Sequence, residues 1–333
     1  MDATYNIVII RRERGRVMKN FRIRIRKVLV ITAACLATVM LTAVFYYLVI
    51  NNNPRLDQVY ADVPYKIKDG RELKLDIYMP ERQFVAKIPM LVFFHGGGWD
   101  SGSKHLSDSD METFNIFRSL GFAIVSVEYR LTNKQISFPA PFADASDSIR
   151  WLHRNASQYG LDKDKINLIG TSAGGQMALL EGLAGNIFKD DPVLAEVDFQ
   201  INSIVSLCGP TDLTDLSGYD DAARGEAAEL LKGLIGGSYE DMSDKYILAS
   251  PITHIKKDSP PTLIAHGTLD ERVPFQQAEK FYEAAKQAGA QVTFIPVQNA
   301  DHKFKAPKGE TTSPLVKDAL KQIAIFLLKR NLI

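Results

Sequence analysis

The segment INLIGTSAGGQMALL, residues 166–180, holds a serine between glycines in the pattern G-x-S-x-G, Gly170 to Gly174. An apolar run precedes it and a helix-forming run follows, so Ser172 falls on a strand-to-helix turn. Gly170 and Gly174 remove the side chains that would collide with neighbouring elements there. Such a turn lifts the Ser172 hydroxyl above a sheet, at the amino end of a helix whose dipole favours developing negative charge. A glycine-rich turn with an N-capping serine would look the same, so the pentapeptide needs partners. A serine hydroxyl is a weak nucleophile and requires a base, and the chain order for this turn is Ser, then Asp or Glu, then His. Of the six histidines, His254, His266 and His302 follow Ser172. Only His302, in NADHKF, also follows Asp270 in TLIAHGTLDERVP. Asp270 comes just past a strand, where a carboxylate can accept the histidine Nδ1–H and stabilise the imidazolium. Glu271 and Asp212 are its rivals; Asp270 is preferred because it follows the strand before His302.

A second stretch, LVFFHGGGWDSGS at residues 91–103, sets three glycines behind four apolar residues. Acyl transfer passes through a tetrahedral oxyanion that needs N–H donors about 2.7–3.1 Å away. One such donor is the residue after the nucleophile, Ala173, and an HGGG-type loop supplies the others. Gly96 and Gly97 are the expected donors, with Gly98 supporting the turn. His95 is expected to fix this loop rather than act as a base. Trp99 could line the acyl site or serve packing.

These residues need a scaffold. VPYKI and LKLDIYMP read as a hairpin around Asp69-Gly70. Thereafter strands alternate with helices: IPMLVFF, a helix over 109–120, FAIVSVEYRL, an amphipathic helix FADASDSIRWLHRNASQYG, KINLIG, and a helix over 172–183. SIVSLC and TLIAHG are later strands, followed by a helix over 276–288, QVTFIPV, and a closing helix over 315–329. That alternation predicts an α/β fold with a mostly parallel sheet covered on both faces and an antiparallel start. About fifty residues separate SIVSLC from TLIAHG, far more than an ordinary connection of about 2–6. A helical excursion within 210–256 is expected there, as a small cap over the carboxyl edge of the sheet where ligands bind.

The chain has 333 residues, 46% of them apolar, and a net charge of +1 that conceals an asymmetry. Residues 1–27 carry nine Lys/Arg against Asp2 and Glu13, a net of +7, and residues 28–50 carry no charge, which leaves −6 for residues 51–333. The uncharged run, VLVITAACLATVMLTAVFYYLVI, would form about 34 Å of helix, enough to span a bilayer. It lies beside RIRIRK, has no amphipathic stripe, and places Phe45, Tyr46 and Tyr47 near its far end like interfacial aromatics. A cleaved signal peptide would have a shorter apolar region and a small-residue cleavage site. The reading is a basic cytoplasmic arm at 1–27, a transmembrane signal anchor at 28–50, a linker at 51–62, and a catalytic domain at 63–333. The positive-inside rule then puts the chain in the cell membrane as a single-pass protein with its catalytic domain outside the cytoplasm. Topology and anionic lipid account for the basic arm better than nucleic acid does. Of two cysteines, Cys35 lies in the span and Cys208 in a later strand, so no intrachain disulfide is expected.

HGGGW, SVEYRL, FPAPFADASDSIRWL, GTSAGG, SPITHI, PPTLIAHGTLDERVP and DHKF together resemble the hormone-sensitive-lipase-like α/β-hydrolases, especially the small bacterial carboxylesterases. The likeness runs from about Tyr65 to the end of the chain. It implies an α/β-hydrolase fold and structural roles for Asp144 and Arg130, tying a helix to a strand end near the serine turn. Asp301 departs from the small residue common before the family's histidine, and the amino-terminal cap of larger members is nearly absent.

Residues and resemblance together lead to a serine carboxylic-ester hydrolase for short acyl chains, on small-molecule or glycan-linked esters. Ser172, His302 and Asp270 would be catalytic. No metal or organic cofactor is expected, since no C-x-x-C or H-E-x-x-H pattern occurs. The rivals are a serine peptidase or amidase on the same triad, and a non-catalytic surface interaction module.

Overall fold

The computed structural model describes Met40, residues 56–185 and residues 187–331, and the chain divides into two units between Pro54 and Arg55. The basic arm, the expected anchor apart from Met40, and the start of the linker lie outside the described residues. Among those described, no helix is long and apolar enough to cross a membrane.

In the second unit, eight strands form one sheet in the order β1-β2-β4-β3-β5-β6-β7-β8. They are β1 (Val59–Lys68), β2 (Arg71–Tyr78), β3 (Ile88–Phe94), β4 (Ala123–Val127), β5 (Leu161–Thr171), β6 (Ser203–Leu207), β7 (Thr262–Gly267) and β8 (Val292–Val297). β2 runs antiparallel to both β1 and β4, and every later pairing is parallel. β1 begins at Val59, so residues 59–62, read as linker, are strand. They lie on the exposed edge of the sheet, where Asp62 N–H donates to Asp76 Oδ1 at 2.7 Å.

The helices are α1 (Asp108–Ser119), α2 (Ala140–Asn155), α3 (Ala173–Ala184), α4 (Asp221–Ile235), α5 (Tyr239–Ala249), α6 (Phe275–Gln287) and α7 (Val316–Asn331). α1 starts where Ser107 Oγ accepts the Asp110 N–H while the Asp110 carboxylate accepts the Ser107 N–H. That reciprocal cap satisfies amide donors that have no partner within the helix. β3 is apolar at every position because both faces of a parallel strand are covered. Met90, Val92 and Phe94 pack with Phe142 and Ile149 of α2, Met177 of α3 and Phe281 of α6. Leu91 and Phe93 point the other way, toward Phe117 of α1 and Ile323 and Phe326 of α7. α4 and α5 form the expected excursion between β6 and β7.

Buried ion pairs brace the sheet's edge. Arg130, just after β4, donates to both oxygens of Asp144 on α2 at 2.7 and 2.8 Å, and Lys66 of β1 reaches Asp144 and Asp147 at 2.8 Å each. Asp144 is fully buried, and Arg130 and Lys66 together supply the hydrogen bonds an ionised carboxylate needs there. This is the structural role that the resemblance implies for Arg130 and Asp144.

Candidate active site

Ser172 sits between the end of β5 and the start of α3 at φ 54°, ψ −122°, a conformation few side-chain-bearing residues adopt. Its N–H donates to Leu207 O of β6 at 2.8 Å, which ties the turn to the neighbouring strand. The flanking glycines are required by contact. A Cβ on Gly170 would lie 2.0 Å from Gly174 O, and one on Gly174 would lie 2.0 Å from Phe94 O at the end of β3.

His302 follows β8, and its Nε2 is 3.0 Å from Ser172 Oγ. Its Nδ1 lies 2.9 and 2.7 Å from the two oxygens of Asp270, which follows β7. An ionised carboxylate only accepts, so Nδ1 carries the proton and Nε2 is left to accept from the Ser172 hydroxyl. Backbone bonds hold the two loops together: Thr268 N–H donates to Val297 O at 3.0 Å and Leu269 N–H to Ala300 O at 2.9 Å. Burial drives the Asp270 carboxyl upward, but hydrogen bonds from His266 and His302 outweigh it and hold the group well below the ordinary carboxylate range. The amides of Arg272 and Val273 also donate to Asp270 Oδ1, each at 2.9 Å.

The rival acids are engaged elsewhere. Asp212 Oδ1 accepts the Thr214 N–H and hydroxyl at 3.0 and 2.6 Å, and Glu271 is exposed at the cavity wall. Asp301 Oδ1 accepts the Lys303 and Lys305 amides at 2.8 and 2.7 Å, so this unusual carboxylate shapes the loop that carries His302.

Around the glycine loop, Gly96 packs beside the serine turn, where a Cβ would meet Thr171 O at 3.0 Å and Ser172 Cβ at 3.5 Å. Gly97 takes φ +117°, and its carbonyl accepts the Ser101 hydroxyl at 2.7 Å. Within the described residues the amides of Gly96, Gly97 and Ala173 donate to no other group. Gly98 and Trp99, rather than Gly96 and Gly97, line the open cavity. Trp99 is 3% exposed and donates Nε1–H to Gln176 Oε1 at 3.0 Å, so it both packs and lines. His95 is buried, its Nδ1 is 2.8 Å from Gly96 O, and its ring stacks on Tyr129 at 4.3 Å. The Tyr129 hydroxyl donates to His95 O at 2.8 Å. Burial pushes the His95 imidazole downward, consistent with a neutral group holding the loop.

Two contributors were not found from the sequence. Tyr129 lies in SVEYRL, but its contact with His95 spans two strands. His266 is fully buried on β7, with Nε2 3.2 Å from Asp270 Oδ2 and 2.8 Å from Val273 O. The signal available for His266 was its place four residues before Asp270 across a turn. Cys208, Asp270 and His302 have ligand atoms close enough for a metal ion. Asp270 and His302 are bonded to each other, however, and burial and then the Asp270 charge push the Cys208 thiol well up, away from the thiolate a metal requires.

A cavity of about 440 Å³ opens over Ser172 and His302, walled by Trp99, Leu213, Tyr219, Leu231 and residues of α4. A family model described as BD-FAE matches residues 75–285, more than half of the chain. The chain belongs to the BD-FAE family. The matched span of this BD-FAE chain includes Gly96, Gly97, Ser172 and Asp270, with His302 beyond it. It thereby falls among the hormone-sensitive-lipase-like α/β-hydrolases. A curated relative, the probable carboxylic ester hydrolase LipM of Mycobacterium tuberculosis, is 30% identical over 238 residues, covering 71% of this chain and 54% of that protein. The chain thus spans about half the length of that relative. Among solved structures, the thermophilic esterase of the Planctomycetes species Thermogutta terrifontis with butyrate bound aligns at TM-score 0.65 and 27% identity, over 83% of this chain and 95% of that one. A truncated carbohydrate esterase from gut microbiota shares the fold at TM-score 0.69 and 23% identity, over 84% and 99% of the two chains.

Proposed function

We propose that this protein is a serine carboxylic-ester hydrolase for short acyl groups, anchored in the membrane by residues 28–50 with its active site outside the cytoplasm. The observation that carries the chemistry is the unbroken chain from Ser172 Oγ to His302 Nε2 at 3.0 Å and from His302 Nδ1 to Asp270 at 2.7 Å. Ser172 Oγ bonds to the ester carbonyl carbon as its proton passes to His302 Nε2, and the carbonyl electron pair moves onto oxygen. The amides of Gly96, Gly97 and Ala173 receive that oxyanion. Re-forming the carbonyl breaks the bond to the alcohol oxygen, which takes the proton from Nε2. Water then attacks the acyl-serine, gives its proton to His302, and the acid departs as Ser172 regains its hydrogen. Asp270 stays ionised throughout and stabilises the imidazolium. A relative captured with butyrate supports short acyl groups, and the uncharged run beside a basic arm supports the anchor. The substrates would be small-molecule or glycan-linked esters.

The test is hydrolysis of p-nitrophenyl acetate, butyrate and decanoate by the full chain beside Ser172→Ala. Acetate and butyrate should be cleaved faster than decanoate, and all three rates should vanish in the variant. Activity that survives Ser172→Ala, or none on any ester, sinks the esterase reading and moves the amidase forward. For the anchor, the chain should stay with membranes through an alkaline carbonate wash; release by that wash would refute it.

A further inference from the structure

The charge around the cavity bears on which esters enter, an inference that rests on the esterase reading. Asp212, Asp220, Glu226 and Glu271 line the cavity against one cation, Arg272, a net of −3. The basic residues nearby are occupied: Arg224 pairs with Asp221, and Lys280 pairs with Asp215. No ion pair among the described residues engages Glu226 or Glu271. Asp220 Oδ1 accepts the Ala223 N–H at 2.8 Å and Asp212 Oδ1 takes the Thr214 donors, but neutral donors leave the carboxylate charge in place.

A second observation points to a ligand. Tyr219 is 8% exposed and lines the same cavity, and its hydroxyl has no hydrogen-bond partner among the described residues. The ring is buried while the hydroxyl itself stays open to the cavity, where it is free to bond a polar group that enters. Tyr219 and Trp99 both line the cavity, and aromatic rings attract cations through their quadrupoles. Short acyl groups leave most of the space to the alcohol part of the ester.

We propose that this cavity sorts esters by charge, favouring those whose alcohol part carries an amine or quaternary ammonium over neutral isosteres, and turning away anionic ones. Across a partly solvated cavity each unpaired carboxylate changes binding a few-fold, so cation and anion should differ by roughly tenfold at low ionic strength.

Three acetates of similar shape test this on the full chain: acetylcholine, 3,3-dimethylbutyl acetate and 2-sulfoethyl acetate. kcat/KM should fall in that order. The cation-to-anion ratio should shrink toward unity in high salt and in the variant carrying Glu226→Gln and Glu271→Gln. Equal rates for the three, or a ratio that survives the double substitution, would overturn the proposal. If the neutral acetate is not hydrolysed in a Ser172-dependent way, the esterase reading fails on its own. The charge preference is then read by calorimetric titration of choline, 3,3-dimethylbutan-1-ol and isethionate. Tightest binding of choline supports the preference; equal binding, or tighter binding of isethionate, overturns it.

Discussion

Replacing His266 by leucine removes one of the two imidazoles that hold Asp270. The lost donor, His266 Nε2–H, lies 2.8 Å from Val273 O and 3.2 Å from Asp270 Oδ2, so one proton is shared between two acceptors. A charge-assisted hydrogen bond contributes about 1.5–3 kcal/mol, and a shared bond at the long end of the range contributes less, about 1–1.5 kcal/mol. Losing that donor loosens the hold on Asp270 that keeps it against His302 Nδ1, and the same energy taken from the transition state should lower kcat roughly five- to tenfold. His266 does not line the cavity, and KM should change little. The assay is kcat and KM for p-nitrophenyl butyrate with the full chain, with melting curves and the downfield NMR signal of the His302 Nδ1 proton measured alongside. His266→Gln keeps an N–H donor and should recover much of the rate. A folded His266→Leu variant with unchanged kcat would refute the reasoning. So would a glutamine variant as impaired as the leucine one, since shape rather than the N–H would then be at issue.

Gly174→Ala places a Cβ 2.0 Å from Phe94 O and 2.6 Å from His95 O, both backbone atoms that cannot swing aside. Ester hydrolysis should drop at least a hundredfold, or the chain should fail to fold, as read by circular dichroism and turnover; a folded, fully active variant would show that the turn has room. Glu181 is buried on α3, and burial pushes its carboxyl from 4.5 up to about 8, against the lowering effect of the Ser146 hydroxyl. Because its folded value is raised, the stability it confers is complete below about pH 4.5 and is lost as pH rises toward 8. Glu181→Gln should therefore gain stability relative to the parent between pH 5 and pH 8 in denaturant melts, and parallel curves would contradict this.

How much of the site could be read from the sequence follows from where its residues stand. Ser172, Asp270 and His302 each close a strand at one edge of the sheet, and the chain order of a parallel α/β fold dictates which loops meet there. Glycines at 96–98, 170 and 174 marked close approach because no other residue type tolerates it. His266, Tyr129 and the start of β1 were not legible, for a common reason. Their roles lie in contacts across turns or between strands, and nothing in their immediate neighbours separates such a residue from one that merely fills the core.

α4 presents a different case. A helical excursion was expected from the length of the connection alone, but nothing in the sequence next to Asp220, Glu226 and Leu230 marks them as lining a cavity. Only the fold brings them to the cavity over Ser172. The reacting groups stand just past strand ends, whereas part of the cavity wall comes from α4, in the long connection between β6 and β7. The meeting of Ser172, His302 and Asp270 was thus readable from chain order, whereas the lining of the cavity needed the placement of α4. Changes of substrate charge preference should accordingly be reachable by substitutions on α4 that leave the geometry of Ser172, His302 and Asp270 intact.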